Sequence, residues 1–81
     1  MVKFEELIKS LILPLVSFPE EVEIAYIGEE DGVESYEVKV AKFDFGRVIG
    51  KGGHIAQAIR TILYAKASKE GVRVHLNILE K

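Results

Sequence analysis

The tract Gly46-Arg-Val-Ile-Gly-Lys-Gly-Gly-His54 constrains this chain more than any other feature. Helical patterning stands on both sides of it. Phe45 to Ile49 is a short apolar-basic segment. From His54 to Lys69 the helical period returns, with Ile55, Ile59, Ile62, Leu63 and Lys66 on one stripe and Ala56, Ala58, Ala65 and Ala67 packing closely. Three glycines among Gly50-Lys51-Gly52-Gly53 cannot sit inside one helix, because each costs about 1 kcal/mol relative to alanine there. The tract therefore predicts a helix–loop–helix corner. Gly71 closes the second helix as a left-handed cap.

Strands frame that corner. Val22, Ile24 and Tyr26 alternate with Glu23, Ala25 and Ile27, and Tyr36, Val38 and Val40 alternate with Glu37, Lys39 and Ala41. Both read as strands with one buried face, joined as an antiparallel hairpin through Gly28-Glu-Glu-Asp-Gly32, whose Asp31-Gly32 pair carries turn chemistry. Val74, Leu76 and Ile78 form the cleanest alternation, with Val72 ahead of them. At the other end Phe4, Leu7, Ile8, Leu11 and Ile12 recur at helical spacing. Pro14 interrupts that helix and suits the start of a second short turn, and Pro19 closes the segment. The order is helix, strand, strand, short helix, glycine loop, long helix, strand. The fold class is α+β: three strands with helices on one face, the last two strands placed parallel by a crossover.

At 81 residues this is a single domain over 1–81, with room for one core and a shallow surface site. The absence of cysteine excludes a disulfide scaffold, a thiolate metal centre and a cysteine nucleophile. The longest apolar run, Leu11 to Val16, is too short to span a bilayer, and Met-Val-Lys-Phe-Glu-Glu lacks the features of a secretion signal. The expectation is a cytoplasmic location. The net charge of −2 hides an asymmetry. Residues 1–38 hold two lysines against ten acids, a balance of −8, whereas residues 39–73 hold eight cations against Asp44 and Glu70, a balance of +6. Arguments about partners therefore belong to local patches.

Glycine tracts bind phosphates in several ways. A phosphate-loop NTPase motif needs four residues before its Gly-Lys pair and a hydroxyl after it; here three separate Gly46 from Gly50, and Gly52 follows Lys51. A dinucleotide fingerprint starting at Gly50 needs glycine where Ile55 stands, and a strand directly before it. What remains is helix–Gly-x-x-Gly–helix. Glycines let a sugar-phosphate strand approach without a Cβ collision, and the loop feeds the N-terminus of the long helix, whose dipole favours an anion. Lys51 aims a cation at the same place, Arg47 joins it from a turn earlier, and Ile49 offers an apolar surface for a base. That pairing of phosphate grip and apolar strip is what single-stranded nucleic acid needs. The rival reading is a protein-interaction adaptor or dimerisation module whose glycines serve only the turn; such a protein has no need of Lys51 and Arg47 beside them.

Gly46-Arg-Val-Ile-Gly-Lys-Gly-Gly53, followed by Ala58-Ile-Arg-Thr-Ile-Leu63 and preceded by Pro19-Glu-Glu-Val-Glu-Ile24, resembles the KH domain family, and more closely its small bacterial single-KH proteins. The resemblance covers the whole chain. It implies the type II arrangement, RNA binding without catalysis in a groove for about four nucleotides, and a role as RNA chaperone or post-transcriptional regulator. It implies a backbone clamp at Gly50, Lys51, Gly52 and Gly53, with Arg47 and Ile49 lining the approach and His54 and Arg60 flanking the groove. It further implies self-association as a homodimer, and pairing with a larger KH-containing Jag-type protein. Pro14 and the acidic loop Glu29-Glu30-Asp31 depart from the family pattern, and a loop bordering the groove would shorten the RNA footprint.

Other residues point elsewhere or nowhere. His54 and His75 are the only histidines and lack further ligands, so no metal or other cofactor is expected. Asp44 reads as the N-cap of the short helix. Tyr26, Tyr36 and Tyr64 read as core or sheet-face residues. No nucleophile–base–orienter set is visible, so no enzyme activity is expected.

Overall fold

The computed structural model describes residues 4–81; Lys3, counted in the acidic half, lies outside them. Helix α1 (Glu5–Ile12) carries Glu5 and Glu6 in its first turn, where the helix dipole favours them, and Lys9 pairs with both at 3.7 Å. Phe4, Ile8 and Ile12 face the core. The interruption at Pro14 takes the form of a 3-10 turn over Leu13–Leu15, and Pro19 opens a second such turn over Pro19–Glu21.

Strands β1 (Glu23–Glu30) and β2 (Val33–Val40) form the hairpin. Asp31 and Gly32 both have positive φ, 54° and 79°, as a two-residue hairpin turn of matching twist requires. The connection is thus shorter than the loop expected from Gly28 onward: Glu29 and Glu30 belong to β1, and the Glu29 carboxylate accepts the Gly32 amide at 2.6 Å. Between Tyr26 and Gly28 the register slips, leaving Ile27 as the extra residue of a bulge. Helix α2 (Lys42–Ile49), the glycine loop and helix α3 (His54–Lys69) then cross over, so that β3 (Arg73–Glu80) joins β2 in parallel. The sheet order is β1-β2-β3. This is the α+β, three-stranded mixed-sheet arrangement that the resemblance implies.

The core lies between the sheet and the helices. Tyr36, Val38 and Val40 of β2 and Val74, Leu76 and Ile78 of β3 meet Val48 of α2 and Ile59 and Leu63 of α3. Each fully buried side chain such as Leu63 or Leu76 contributes about 1.5–3 kcal/mol. Two expectations fail in detail. The apolar alternation of β1 buries little: Ile24 is half-buried, whereas Tyr26 and Ile27 are exposed at the sheet edge. On α3 the buried stripe is Ala56, Ile59, Leu63 and Ala67; Ile62 is 49% exposed, and Lys66 is exposed and pairs with Glu70 at 3.5 Å. Small residues at 56 and 67 let the helix backbone approach its neighbours, which turns the larger Ile62 outward. Ala58 and Ala65 lie on the exposed side.

Candidate nucleic-acid interface

Helix α2 ends where Gly50 takes φ 78° and ψ 169° and donates its amide to the Gly46 carbonyl at 2.8 Å. Lys51–Gly53 then make one 3-10 turn, closed by the Gly53 amide on the Gly50 carbonyl at 3.0 Å. Gly52 and Gly53 sit in left-handed conformations, at φ 64° and 79°. Lys51 and Gly52 open this turn, and their amides therefore have no acceptor within it.

The three loop glycines serve different ends. A Cβ on Gly50 would lie 2.7 Å from Ile55 Cγ1 and 2.9 Å from Ile55 Cβ, so this glycine makes room for the first turn of α3. A Cβ on Gly52 would meet only the His54 ring, at 4.0 Å, and one on Gly53 would meet nothing within 4 Å. Those two glycines leave bare backbone facing solvent at the start of the long helix. Lys51 beside them is exposed and has no ion-pair or hydrogen-bond partner among the described residues.

Behind the loop, Asp44 is fully buried. It is not the N-cap of α2: that position is Ala41, and no side chain caps it. Instead the Asp44 carboxylate accepts two backbone amides from the segment between α1 and β1, Ser17 at 2.9 Å and Phe18 at 3.0 Å. Arg47, one turn on, donates from Nη1 to Ser17 Oγ at 3.1 Å. The guanidinium expected to join Lys51 at the loop is thus tied to the α1–β1 connection.

A shallow depression of about 350 Å³ opens where the loop meets α3. Ile49, Gly52, Gly53, His54 and Arg60 line it, five of the eight residues expected in the site, together with Ala56 and Gln57. Gly50 and Lys51 belong to the loop without lining the depression, and Arg47 stands apart from it. Ala56 and Gln57 escaped the sequence reading, although one helical turn from Gly53 and one from Arg60 is the spacing that brings them there. Arg60 donates from Nε to the Leu76 carbonyl at 3.1 Å, and the Tyr64 hydroxyl accepts the Leu76 amide at 3.2 Å. Two side chains one turn apart on α3 thus occupy both backbone groups of Leu76 in the edge strand β3.

The acidic hairpin turn does not border the loop. Val33 pairs with Arg73, which puts the turn beside the start of β3, just after α3 ends. The glycine loop lies at the opposite end of that helix, about 24 Å away at 1.5 Å per residue. Glu29 and Glu30 line a separate depression with Ile27, Gly28 and Ser35. His54 stands at the loop, whereas His75 lies on the open face of the sheet against Asn77 at 3.1 Å. No cluster of three metal-ligating side chains occurs among the described residues, and no helix there is long and apolar enough to cross a membrane.

Residues 5–78 match the family described as KhpA/KhpB, KH domain. The chain is similar to the RNA-binding protein KhpA of Listeria monocytogenes, 50% identical over 76 residues that cover 94% of this chain and 99% of that protein. It is 44% identical over 73 residues to the RNA-binding protein KhpA of Oceanobacillus iheyensis, covering 90% and 96% of the two chains. To that of Chlamydia pneumoniae it is 44% identical over 79 residues, covering 95% and 97%.

Proposed function

This chain belongs to the KhpA/KhpB KH-domain family, and from that premise we propose that it binds single-stranded RNA without catalysing a reaction on it. The observation that carries the reading is the bare backbone of Gly52 and Gly53, set at the start of α3 between an unpaired Lys51 and the depression. A phosphate resting on the loop meets free amides, the positive end of the helix dipole and one ammonium. The adjoining bases lie over Ile49 and Ala56, with His54, Gln57 and Arg60 offering polar edges. The family relatives named as RNA-binding proteins support the same reading. A role as RNA chaperone or post-transcriptional regulator fits a weak, sequence-tolerant grip of this kind. Pairing of two copies, or with a larger KH-containing Jag-type protein, would add contacts along one strand and raise avidity without new chemistry.

The test is fluorescence anisotropy with short single-stranded RNAs at two salt concentrations, wild type beside a Lys51→Asp/Gly52→Asp variant. Aspartate tolerates the left-handed backbone at position 52 better than most residues, so the variant keeps its fold. Wild-type affinity is expected to fall with salt, and the variant to lose binding. Equal binding by both proteins would move the RNA to another face. Failure of both to bind at low salt would favour the adaptor reading.

A further inference from the structure

Among the described residues, the most exposed large apolar side chain is Phe43, at 69%. It lies on α2, with its ring edge-to-face against Phe18 at a centroid distance of 5.5 Å and 88° between planes. Phe18 is itself 40% exposed, so the pair forms an aromatic corner on the surface rather than part of the core. Phe43, Gly46, Arg47 and Gly50 are spaced three and four residues apart and share one face of α2. That face runs about 10 Å from the ring to the loop. Gly46 leaves it open, since a Cβ there would meet nothing within 4 Å. Arg47 is held beside it by Ser17 Oγ. Lys42 and Lys51 are exposed at its two ends. The only acid on α2, Asp44, is buried and committed to the Ser17 and Phe18 amides, so no carboxylate of α2 reaches this surface.

An exposed ring flanked by cations, continuous with a phosphate-binding loop, suits a polyanion with flat bases. We propose that Phe43, backed by Phe18, is a stacking platform for a base of the same RNA strand after it leaves the glycine loop, with Arg47 holding the intervening phosphate. The inference rests on the RNA reading above and extends the footprint beyond the groove. It also gives Arg47 a role away from the depression, which matches where its side chain is tied.

The experiment compares fluorescein-labelled single-stranded RNAs: one of four nucleotides, and two of eight that extend it at the 5′ or the 3′ end. Wild type, Phe43→Ala and Phe43→Trp are titrated against each, and thermal melts check that the exposed substitutions leave the fold intact. One eight-mer is expected to bind wild type more tightly than the four-mer. Phe43→Ala should weaken that eight-mer by about five-fold or more and leave the four-mer unchanged, and tryptophan should restore the gain. Unchanged affinity of Phe43→Ala for both eight-mers would overturn the platform and leave the groove standing. Equal weakening of the four-mer would overturn it too, because the ring would then act on the groove. If Phe43→Ala changes only a concentration-dependent mass in solution, the corner joins copies of the chain, and the proposal is wrong. Absence of wild-type binding to every RNA would instead remove the RNA reading itself, and this extension with it.

Discussion

Replacing Gly50 and Gly53 separately by alanine separates a glycine needed by the fold from one needed by a ligand. The two have nearly the same φ, 78° and 79°, but different surroundings. At Gly53 the left-handed conformation costs an alanine about 1–2 kcal/mol, partly offset by about 0.4–1 kcal/mol of lost unfolded-state freedom. The net is about 1 kcal/mol. At Gly50 the combination of positive φ with ψ 169° is nearly exclusive to glycine and costs about 1–3 kcal/mol. The new methyl also lands 2.7–3.0 Å from three atoms of Ile55. Ile55 Cβ is fixed by the helix backbone and cannot swing aside, so overpacking adds about 1–3 kcal/mol. Gly50→Ala is therefore expected to cost about 2–4 kcal/mol more than Gly53→Ala. Urea unfolding followed by far-ultraviolet circular dichroism reads the difference. With a slope of about 1 kcal/mol/M, the Gly53→Ala midpoint falls by about 1 M and that of Gly50→Ala by about 3 M or more. Gly53→Ala, still folded, should lose RNA affinity because its methyl stands on the exposed loop surface. Stabilities within about 0.5 kcal/mol of each other would refute the assignment of Gly50 to the α2–α3 packing.

Asp44→Ala removes the acceptor of two amides and should cost about 2–4 kcal/mol in urea unfolding, although the residue touches no part of the proposed groove. Tyr64→Phe leaves the Leu76 amide without its hydroxyl partner, with an expected loss of about 0.5–1.5 kcal/mol and unchanged RNA affinity; Arg60→Ala should weaken both stability and binding. The Lys81 ammonium, hydrogen-bonded to Glu23 at 2.8 Å, holds the Glu23 carboxyl below its ordinary 4.5, and Glu23 raises Lys81 above 10.5. The lowered carboxyl gives stability that is present above pH 4.5 and lost as pH falls through the depressed value, and the raised ammonium gives stability that is present below pH 10.5 and lost as pH rises through the elevated one. The difference in melting temperature between wild type and Lys81→Ala should thus be small, widest between those limits, closed at both extremes and reduced by salt.

The parts of the fold that follow from a strong local signal were legible in the sequence. Strict alternation in 74–78 gave β3, Asp31-Gly32 gave the turn, and the glycine tract gave the break between two helices. What escaped depends on partners distant in sequence. Asp44 has the composition of a cap, but its role is set by Ser17 and Phe18, 26 and 27 residues away. The same distant serine draws Arg47 from the loop. On α3 the apolar pattern holds at Ile59 and Leu63, with Ile55 packed against the core, and fails at Ile62 and Lys66, which are exposed. Alanine carries little hydropathy, yet Ala56 and Ala67 are the residues whose bulk limits how closely the helix can pack. Of the residues that line the depression, Ile49, Gly52, Gly53, His54 and Arg60 are named by the sequence pattern, and Ala56 and Gln57, adjacent to them only through the helix turn, are not.

The order of the strands has a kinetic consequence. Because β2 is central, the acidic strand β1 is confined to one edge of the sheet, and the glycine loop with its lysine opens on the side built by α2, α3 and β3. The carboxylates of Glu23, Glu29 and Glu30 are thereby held at the sheet edge opposite β3. A molecule polarised in this way is turned by the field of a polyanion before contact, so that fewer collisions arrive with the wrong side forward. The encounter rate should then fall steeply as added salt shortens the range over which that torque acts, even for a net-acidic protein.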